Sequence, residues 1–444
     1  MDAPPLTDMY HQYRPRPLEI IDSSLREGQQ TSLLHDHYKY YFTIQDKQEL
    51  LRALIEYGVK FVEIFAPNVN SREAEDMAAL RAVRDELMVQ KGYTFLLAHV
   101  RCHPKDVETA IAAGFDGLNI YFGTSPQSQA YNHGKNLDEI IRSASDLLSD
   151  LRRNHPDLTL RFSGEDAFRT GLEALFRVYD PLVDYVDRLG MPDTVGVATP
   201  RTVAQRVQAL RQRYPHIPLE LHFHDDRGLA LINSLEAVLA GAQFVDTTLL
   251  GVGERSGITS MTALLFNLFV DGHYDHLEGY NLRSSYPINI TMADKLKTLV
   301  PSREPVSLTN RTHTAGVHQG AILQDSTAYE AHSLDLFGVS EQDILLGPLS
   351  GWNVVHYFLK EIHYFDLDEA TARQITAHFK ENTARLNGDI SAAELLLRIA
   401  QEEFHLQRTV SAPVGAPQII QRMDKGAGIQ LVRPLEEQKH HSII

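Results

Sequence analysis

Three short patches carry most of the side chains able to do chemistry, and they lie far apart in the chain. They are Arg26-Glu27-Gly28-Gln29-Gln30, His222-Phe223-His224-Asp225-Asp226 and His313-Thr314-Ala315-Gly316-Val317-His318. The first two suggest a metal. Each follows an apolar β-like run, Leu18-Glu19-Ile20-Ile21 and Leu219-Glu220-Leu221. Imidazoles two residues apart on a strand point to the same side. With Glu27 at the end of another strand they make a set of one carboxylate and two nitrogens for a divalent cation, and such a set fits Zn²⁺, Mn²⁺, Co²⁺ or Fe²⁺ better than Ca²⁺. The plainer alternative is a strand that buries two hydrogen-bonded histidines. Asp225 and Asp226 stand as further ligands or as partners that fix the imidazole tautomers. Arg26, beside Glu27, would neutralise an oxygen that turns negative during a reaction; its structural alternative is an ion pair at the rim. The third patch would supply proton-transfer groups.

Strands and helices must bring these patches together. Runs of apolar, β-branched or aromatic residues recur at 18–23, 61–66, 93–100, 117–123, 159–163, 185–189, 219–224 and 244–250. Between them, stretches such as 45–57, 71–89, 136–154, 200–214 and 227–241 carry apolar residues at three- and four-residue spacing. This β/α alternation implies a parallel sheet, and its count favours a closed (β/α)8 TIM barrel. An open doubly wound sheet is the competitor, but Ser23-Ser24-Leu25-Arg26-Glu27-Gly28 stands where a Gly-rich dinucleotide loop would follow the first strand. In a barrel, Glu27, Glu63, His99, Ser163, Thr194, His222 and Glu254 would converge at the strand ends.

The expected organisation is a catalytic barrel over 18–275, a linker and lid segment over 276–338 marked by Pro287, Pro301 and Pro305, a helical C-terminal region over 339–410, and an irregular tail over 411–444. Gly351-Trp352-Asn353 interrupts the helical region, and His440-His441 reads as a solvated tail. The excess of 58 Asp and Glu over 42 Lys and Arg, a formal charge of −16, argues against nucleic acid as the main partner. A single cysteine, Cys102, excludes an intramolecular disulfide and a Cys-rich metal site. The amino terminus shows no secretory pattern and no apolar run reaches the length of a membrane span, so a cytoplasmic protein without a membrane partner is expected.

Four segments together resemble the homocitrate synthase and isopropylmalate synthase family. They are Ile21-Asp22-Ser23-Ser24-Leu25-Arg26-Glu27-Gly28-Gln29-Gln30, His222-Phe223-His224-Asp225-Asp226-Arg227-Gly228, Gly251-Val252-Gly253-Glu254-Arg255-Ser256-Gly257 and Thr312-His313-Thr314-Ala315-Gly316-Val317-His318. The similarity runs through roughly residues 18 to 365. The resemblance implies a metal-dependent barrel followed by a lid and a helical region, in a homodimer where the lid of one chain completes the site of the other. It implies condensation of acetyl-CoA with a 2-oxo acid to an alkylmalate- or citrate-type acid plus CoA, within amino-acid or carboxylic-acid biosynthesis. By resemblance, Glu27, His222 and His224 would hold the cation (Zn, Mn, Co or Mg). Arg26 would stabilise the developing negative oxygen. Gln30, Glu63, His99, Gln129, Ser163 and Thr194 would bind substrate, and Glu165, His318 and Tyr329 would form the acid/base group.

Three departures accompany the match. Gln129 stands where homocitrate synthases carry an arginine for the distal carboxylate of 2-oxoglutarate, and an amide cannot give arginine's bidentate charged pair. That predicts another acid: oxaloacetate, phosphonopyruvate, or a neutral aromatic or branched 2-oxo acid. Leu250 stands where isopropylmalate synthases have an asparagine, leaving three protein ligands. Leu33-Leu34-His35-Asp36-His37-Tyr38-Lys39-Tyr40-Tyr41-Phe42 lengthens the first β/α loop with aromatic residues that reshape the pocket or cap the barrel. The competing functions are a lyase of the hydroxymethylglutaryl-CoA type and a non-catalytic binding protein.

Overall fold

The computed structural model describes residues 16–409 and 428–432; the readings of the amino terminus and of His440-His441 fall outside those residues. Among the described residues, parallel strands close into an eight-stranded barrel: β1 (Glu19–Asp22), β2 (Phe61–Phe65), β3 (Phe95–Arg101), β4 (Gly117–Gly123), β5 (Thr159–Glu165), β6 (Arg188–Asp193), β7 (Leu219–Phe223) and β8 (Phe244–Thr247). β8 returns to β1 with Ile21 opposite Asp246 and Asp22 opposite Thr247, so the sheet has no open edge. The helices between strands are α1 (Ile44–Tyr57), α2 (Arg72–Lys91), α3 (Pro104–Ala113), α4 (Leu137–Asn154), α5 (Leu172–Tyr179), α6 (Pro200–Arg213) and α7 (Ala230–Leu239), and α8 (Met261–Val270) follows β8. Their starts are chemically marked. The side chains of Thr43 and Asn136 accept from the backbone N–H three residues on, and their own backbone N–H groups donate to the carboxylates of Asp46 and Glu139, while Pro200 opens α6 where its missing N–H costs nothing.

The barrel interior is layered. Ile21, Phe61, Phe95, Leu97 and Phe244 form an apolar plug, with Phe61 stacked on Phe95 at 5.1 Å and edge-on to Phe244 at 5.4 Å. The Arg188 guanidinium lies over the Phe61 and Phe244 rings, and its Nε donates to Glu220 Oε2 at 2.8 Å. Charge enters the interior there because each ion finds a partner; an unpaired one would be too costly to bury.

The structure departs from the sequence reading in two places near the barrel. The sixth strand was expected over 185–189 but runs Arg188–Asp193, and Val183–Tyr185 forms a helical turn. The strand runs through Gly190 and Pro192, and it needs the glycine: a Cβ there would stand 1.9 Å from Ser163 Oγ. The stretch read as linker contains helix α9 (Ser285–Lys295), whose Ile288, Met292 and Ala293 join the barrel core. Pro287 lies in its first turn, where a proline is tolerated. The barrel unit therefore continues past residue 275, and the chain divides after Pro301.

The second unit, from Ser302, contains a small sheet in which β10 (Glu341–Leu345) pairs parallel with β9 (Thr312–His313) and antiparallel with β11 (Gly428–Val432). The last strand lies within the expected irregular tail. Helices α10 (Gly316–Ile322), α11 (Trp352–Tyr357), α12 (Glu369–Thr383) and α13 (Ala392–Arg398) belong to the same unit. Val354, Val355, Phe358, Leu359, Ile375, Phe379 and Leu396 form its own core. No helix among the described residues is long and apolar enough to cross a membrane.

Candidate active site and metal centre

Glu27, His222 and His224 come together at the barrel mouth, all three buried, with one potential ligand atom from each within 4.8 Å of the others. Glu27 opens a single helical turn directly after β1. Its Oε1 accepts from Glu254 N at 2.9 Å, and its Oε2 accepts from Arg26. Gly253 permits that approach, since a Cβ would meet Glu27 at 3.0 Å. His222 is the penultimate residue of β7 and its Nδ1 lies 3.1 Å from Asp246 Oδ2, whereas His224 Nδ1 is buried without a hydrogen-bond partner. Burial pushes both imidazoles down to about 4, so their lone pairs are free at neutral pH. Burial pushes Glu27 up, but Arg26, His222 and His224 outweigh it and hold the carboxyl below its usual range. Two neutral imidazoles, one of them with a buried nitrogen lacking a partner, and one carboxylate form a set that fits a divalent cation.

Arg26 is fixed by carboxylates on both sides. Its Nε donates to Glu63 Oε2 at 2.8 Å, its Nη1 to Glu27, and Nη1 lies 3.5 Å from Gln30 Oε1. Glu63 does not line the cavity as expected. Its carboxylate is consumed by Arg26, by Ser23 Oγ at 2.5 Å, by Asn119 Nδ2 at 2.7 Å and by His99 Nδ1 at 3.2 Å. His99 Nδ1 also lies 3.4 Å from Arg161 Nη2. A carboxylate only accepts and a guanidinium only donates, so that nitrogen serves one of them at a time.

A cavity of about 350 Å³ opens at this mouth, lined by Arg26, Glu27, Gln30, His99, Ser163, Glu165, Thr194, His222, His224 and Glu254, together with Phe65, Asn68, Arg101, Tyr121 and Arg161. Ser163 Oγ and Arg161 Nε are buried without partners. Thr194 Oγ1 accepts from Asp166 N at 2.9 Å, which steadies Asp166 in a left-handed conformation beside Glu165. Burial, reinforced by Asp166, raises the Glu165 carboxyl above its usual range.

The structure places the remaining candidates as follows. Gln129 is absent from the lining, and its Nε2 donates to Thr124 O at 2.9 Å. Asp225 Oδ1 accepts from Ala230 N at the start of α7, and Asp226 pairs with Arg255 at 2.7 Å; the carboxylate that faces His222 Nδ1 is that of Asp246. Leu250, buried, turns the chain with φ 61° and brings no polar group. In the aromatic insertion His35 and His37 are exposed, Phe42 is buried, and the Tyr41 ring lies 6.0 Å from Phe65 of the cavity wall.

In the second unit His318 on α10 and Tyr329 stack at 3.9 Å with an interplanar angle of 24°, and both are exposed. The neighbouring Glu330 accepts from Arg311 Nε at 3.2 Å and Nη2 at 3.0 Å, which anchors the segment that carries Tyr329.

Sequence reasoning missed Arg161, Glu220 and Asp246. Arg161 Nη1 donates to Glu220 and lies 3.4 Å from Asp246 Oδ2. The signal was present, because Arg161 is two residues from Ser163 and Glu220 two from His222, which puts them on the same inward faces.

Fold and site together define a (β/α)8-barrel protein with a buried His-His-Glu centre suited to a metal. The family described as HMGL-like matches residues 17–287, and "Homocitrate synthase post-HMGL domain-like" matches residues 306–386. The mitochondrial homocitrate synthase of Schizosaccharomyces pombe is 32% identical over 364 residues, 82% of this chain and 83% of that protein. A homocitrate synthase of Methanocaldococcus jannaschii is 31% identical, covering 86% of this chain and 90% of its own. The 2-isopropylmalate synthase of Geobacillus thermodenitrificans is 27% identical, over 88% and 74%. The hydroxymethylglutaryl-CoA lyase structure from Pseudomonas aeruginosa superposes with a TM-score of 0.53 at 19% identity, covering 65% of this chain and 96% of the lyase, a likeness of fold. The chain belongs to the HMGL-like family, among its homocitrate synthase and isopropylmalate synthase members.

Proposed function

We propose that the protein is an acyltransferase that condenses acetyl-CoA with a 2-oxo acid, releasing CoA and a hydroxylated di- or tricarboxylic acid, in amino-acid or carboxylic-acid biosynthesis. The observation that carries this is similarity to homocitrate synthases along both units, with the post-HMGL domain matching residues 306–386. That second unit favours synthesis over the lyase alternative, whose structural likeness covers 65% of the chain.

The residues have a physical division of labour. Glu27, His222 and His224 would hold a divalent cation, which supplies Lewis acidity toward the keto oxygen and carboxylate of the 2-oxo acid. Arg26 offsets the charge that the keto oxygen gains as the new carbon-carbon bond forms. Loss of a methyl proton from the acetyl thioester needs a base within hydrogen-bond reach. By family resemblance His318, Tyr329 and Glu165 would supply that proton-transfer group, a reading supported by the stacking of His318 on Tyr329 and by the raised carboxyl of Glu165. Water then cleaves the CoA thioester, which makes the sequence irreversible in practice. Exposed His318 and Tyr329 support a homodimer in which the second unit of one chain completes the barrel site of the other. The unpartnered Arg161 Nε and Ser163 Oγ offer hydrogen bonds to an oxygen of the 2-oxo acid, and similarity to homocitrate synthases favours an acid with an acidic tail. The single cysteine supports a cytoplasmic location.

A thiol-release assay tests the proposal, using 2-oxoglutarate, oxaloacetate, phosphonopyruvate, pyruvate, 2-oxoisovalerate and phenylpyruvate. Release of CoA that depends on one of the acidic-tailed compounds is the expected result. Acetyl-CoA formed from a hydroxyacyl-CoA would identify a lyase, and bound metal without turnover would identify a binding protein.

A further inference from the structure

Asp246 holds two groups at once. Its Oδ2 lies 3.1 Å from His222 Nδ1 and 3.4 Å from Arg161 Nη1, and the residue is 1% exposed. The register builds this contact: Leu221 of β7 stands opposite Val245 of β8, so His222 and Asp246 are the next pair toward the barrel mouth. A carboxylate oxygen accepts from an imidazole only when the proton sits on Nδ1, and that leaves the Nε2 lone pair of His222 for a metal. Arg161 lines the cavity, so the carboxylate that orients a metal ligand is also tied to the wall against which the 2-oxo acid would lie.

We infer that Asp246 is a positioning residue that sets the tautomer and ring orientation of His222 for metal binding and links that ligand to Arg161. This rests on Glu27, His222 and His224 being the metal ligands. Asp246 also lines the cavity, with Oδ1 buried and unpartnered, and its role toward the metal runs through His222.

The test is titration of the full-length protein with Co²⁺ alone, following its visible d–d absorption and confirming affinity by chelator competition. Asp246→Ala removes the acceptor. Asp246→Asn keeps the volume and an oxygen that still accepts from Nδ1. Melting curves of the metal-free proteins register any loss of folding separately, and Asp246→Asn decides the matter if Asp246→Ala does not fold. We expect one Co²⁺ per wild-type chain, affinity weakened by about 10–100-fold in Asp246→Ala with an altered absorption band, and a smaller loss in Asp246→Asn. A merely structural role would lower the melting temperature and leave affinity and band unchanged, and Co²⁺ affinities within about twofold of wild type in both variants would overturn the inference. Failure of wild type to bind Co²⁺, or equal binding by His222→Ala, would overturn the metal reading itself, and this inference with it.

Discussion

Replacing Glu63 by glutamine strikes the point where most of the site is fastened. The Glu63 carboxylate accepts from Arg26 Nε at 2.8 Å, pairs with its Nη2 at 2.6 Å, and also accepts from Ser23, Asn119 and His99. An amide keeps the shape, loses the charge, and turns an NH2 toward groups that themselves donate. Removing one partner of a buried ion pair costs about 3–5 kcal/mol. Arg26 keeps Glu27 as a second partner, so the low end, about 3 kcal/mol of stability, is expected. The guanidinium then loses the bond that aims it, and a displacement of about 1 Å at a charge-stabilising group lowers turnover by roughly 100-fold. The assays are chemical melting of the purified variant and thiol release at saturating acetyl-CoA and 2-oxo acid. A variant that melts with wild type and turns over within about threefold of it would refute the claim that Glu63 orients Arg26.

Metal affinity should be nearly flat between pH 8 and about 6, because a histidine held at about 4 loses its proton above that value and protons compete only as pH falls through it. Two histidines at the ordinary 6.5 would each be about 90% protonated at pH 5.5, a loss of roughly 100-fold in affinity that calorimetry would register as a contradiction. Gln129→Ala should leave the preference among 2-oxo acids unchanged, since its amide bonds to Thr124 O and not to the cavity; a changed order in the substrate panel would return Gln129 to the site. Gly190→Ala should destabilise by about 1–3 kcal/mol and raise KM for the 2-oxo acid, because the added methyl stands 1.9 Å from Ser163 Oγ; unchanged melting and KM would show that the strand yields.

The barrel was legible because its signal is repeated: a period of two in the strands and three to four in the helices leaves few alternatives. It failed at β6, which runs on through Gly190 and Pro192 beyond the apolar run 185–189, and at α9, where Pro287 marked a linker but sits in a first helical turn that tolerates it. The metal set was legible because His222 and His224 share one strand face and Glu27 follows another strand. The carboxylate work was not. Glu63 read as a substrate contact and Asp225 and Asp226 as metal partners, yet which protein donors consume a carboxylate depends on cross-barrel neighbours such as Asn119 and Arg161 that only the register brings near. Asp246 sat unnoticed in an apolar run for the same reason.

The central claim is that this site joins the acetyl methyl carbon to the keto carbon of a 2-oxo acid, and mass spectrometry of the product made from acetyl-CoA with a fully deuterated methyl group tests it directly. The account predicts a hydroxy acid that contains both skeletons and has lost a single deuteron, the one removed when the carbon nucleophile forms. A product that retains all of the methyl deuterium, or free acetate with the 2-oxo acid unchanged, would contradict it.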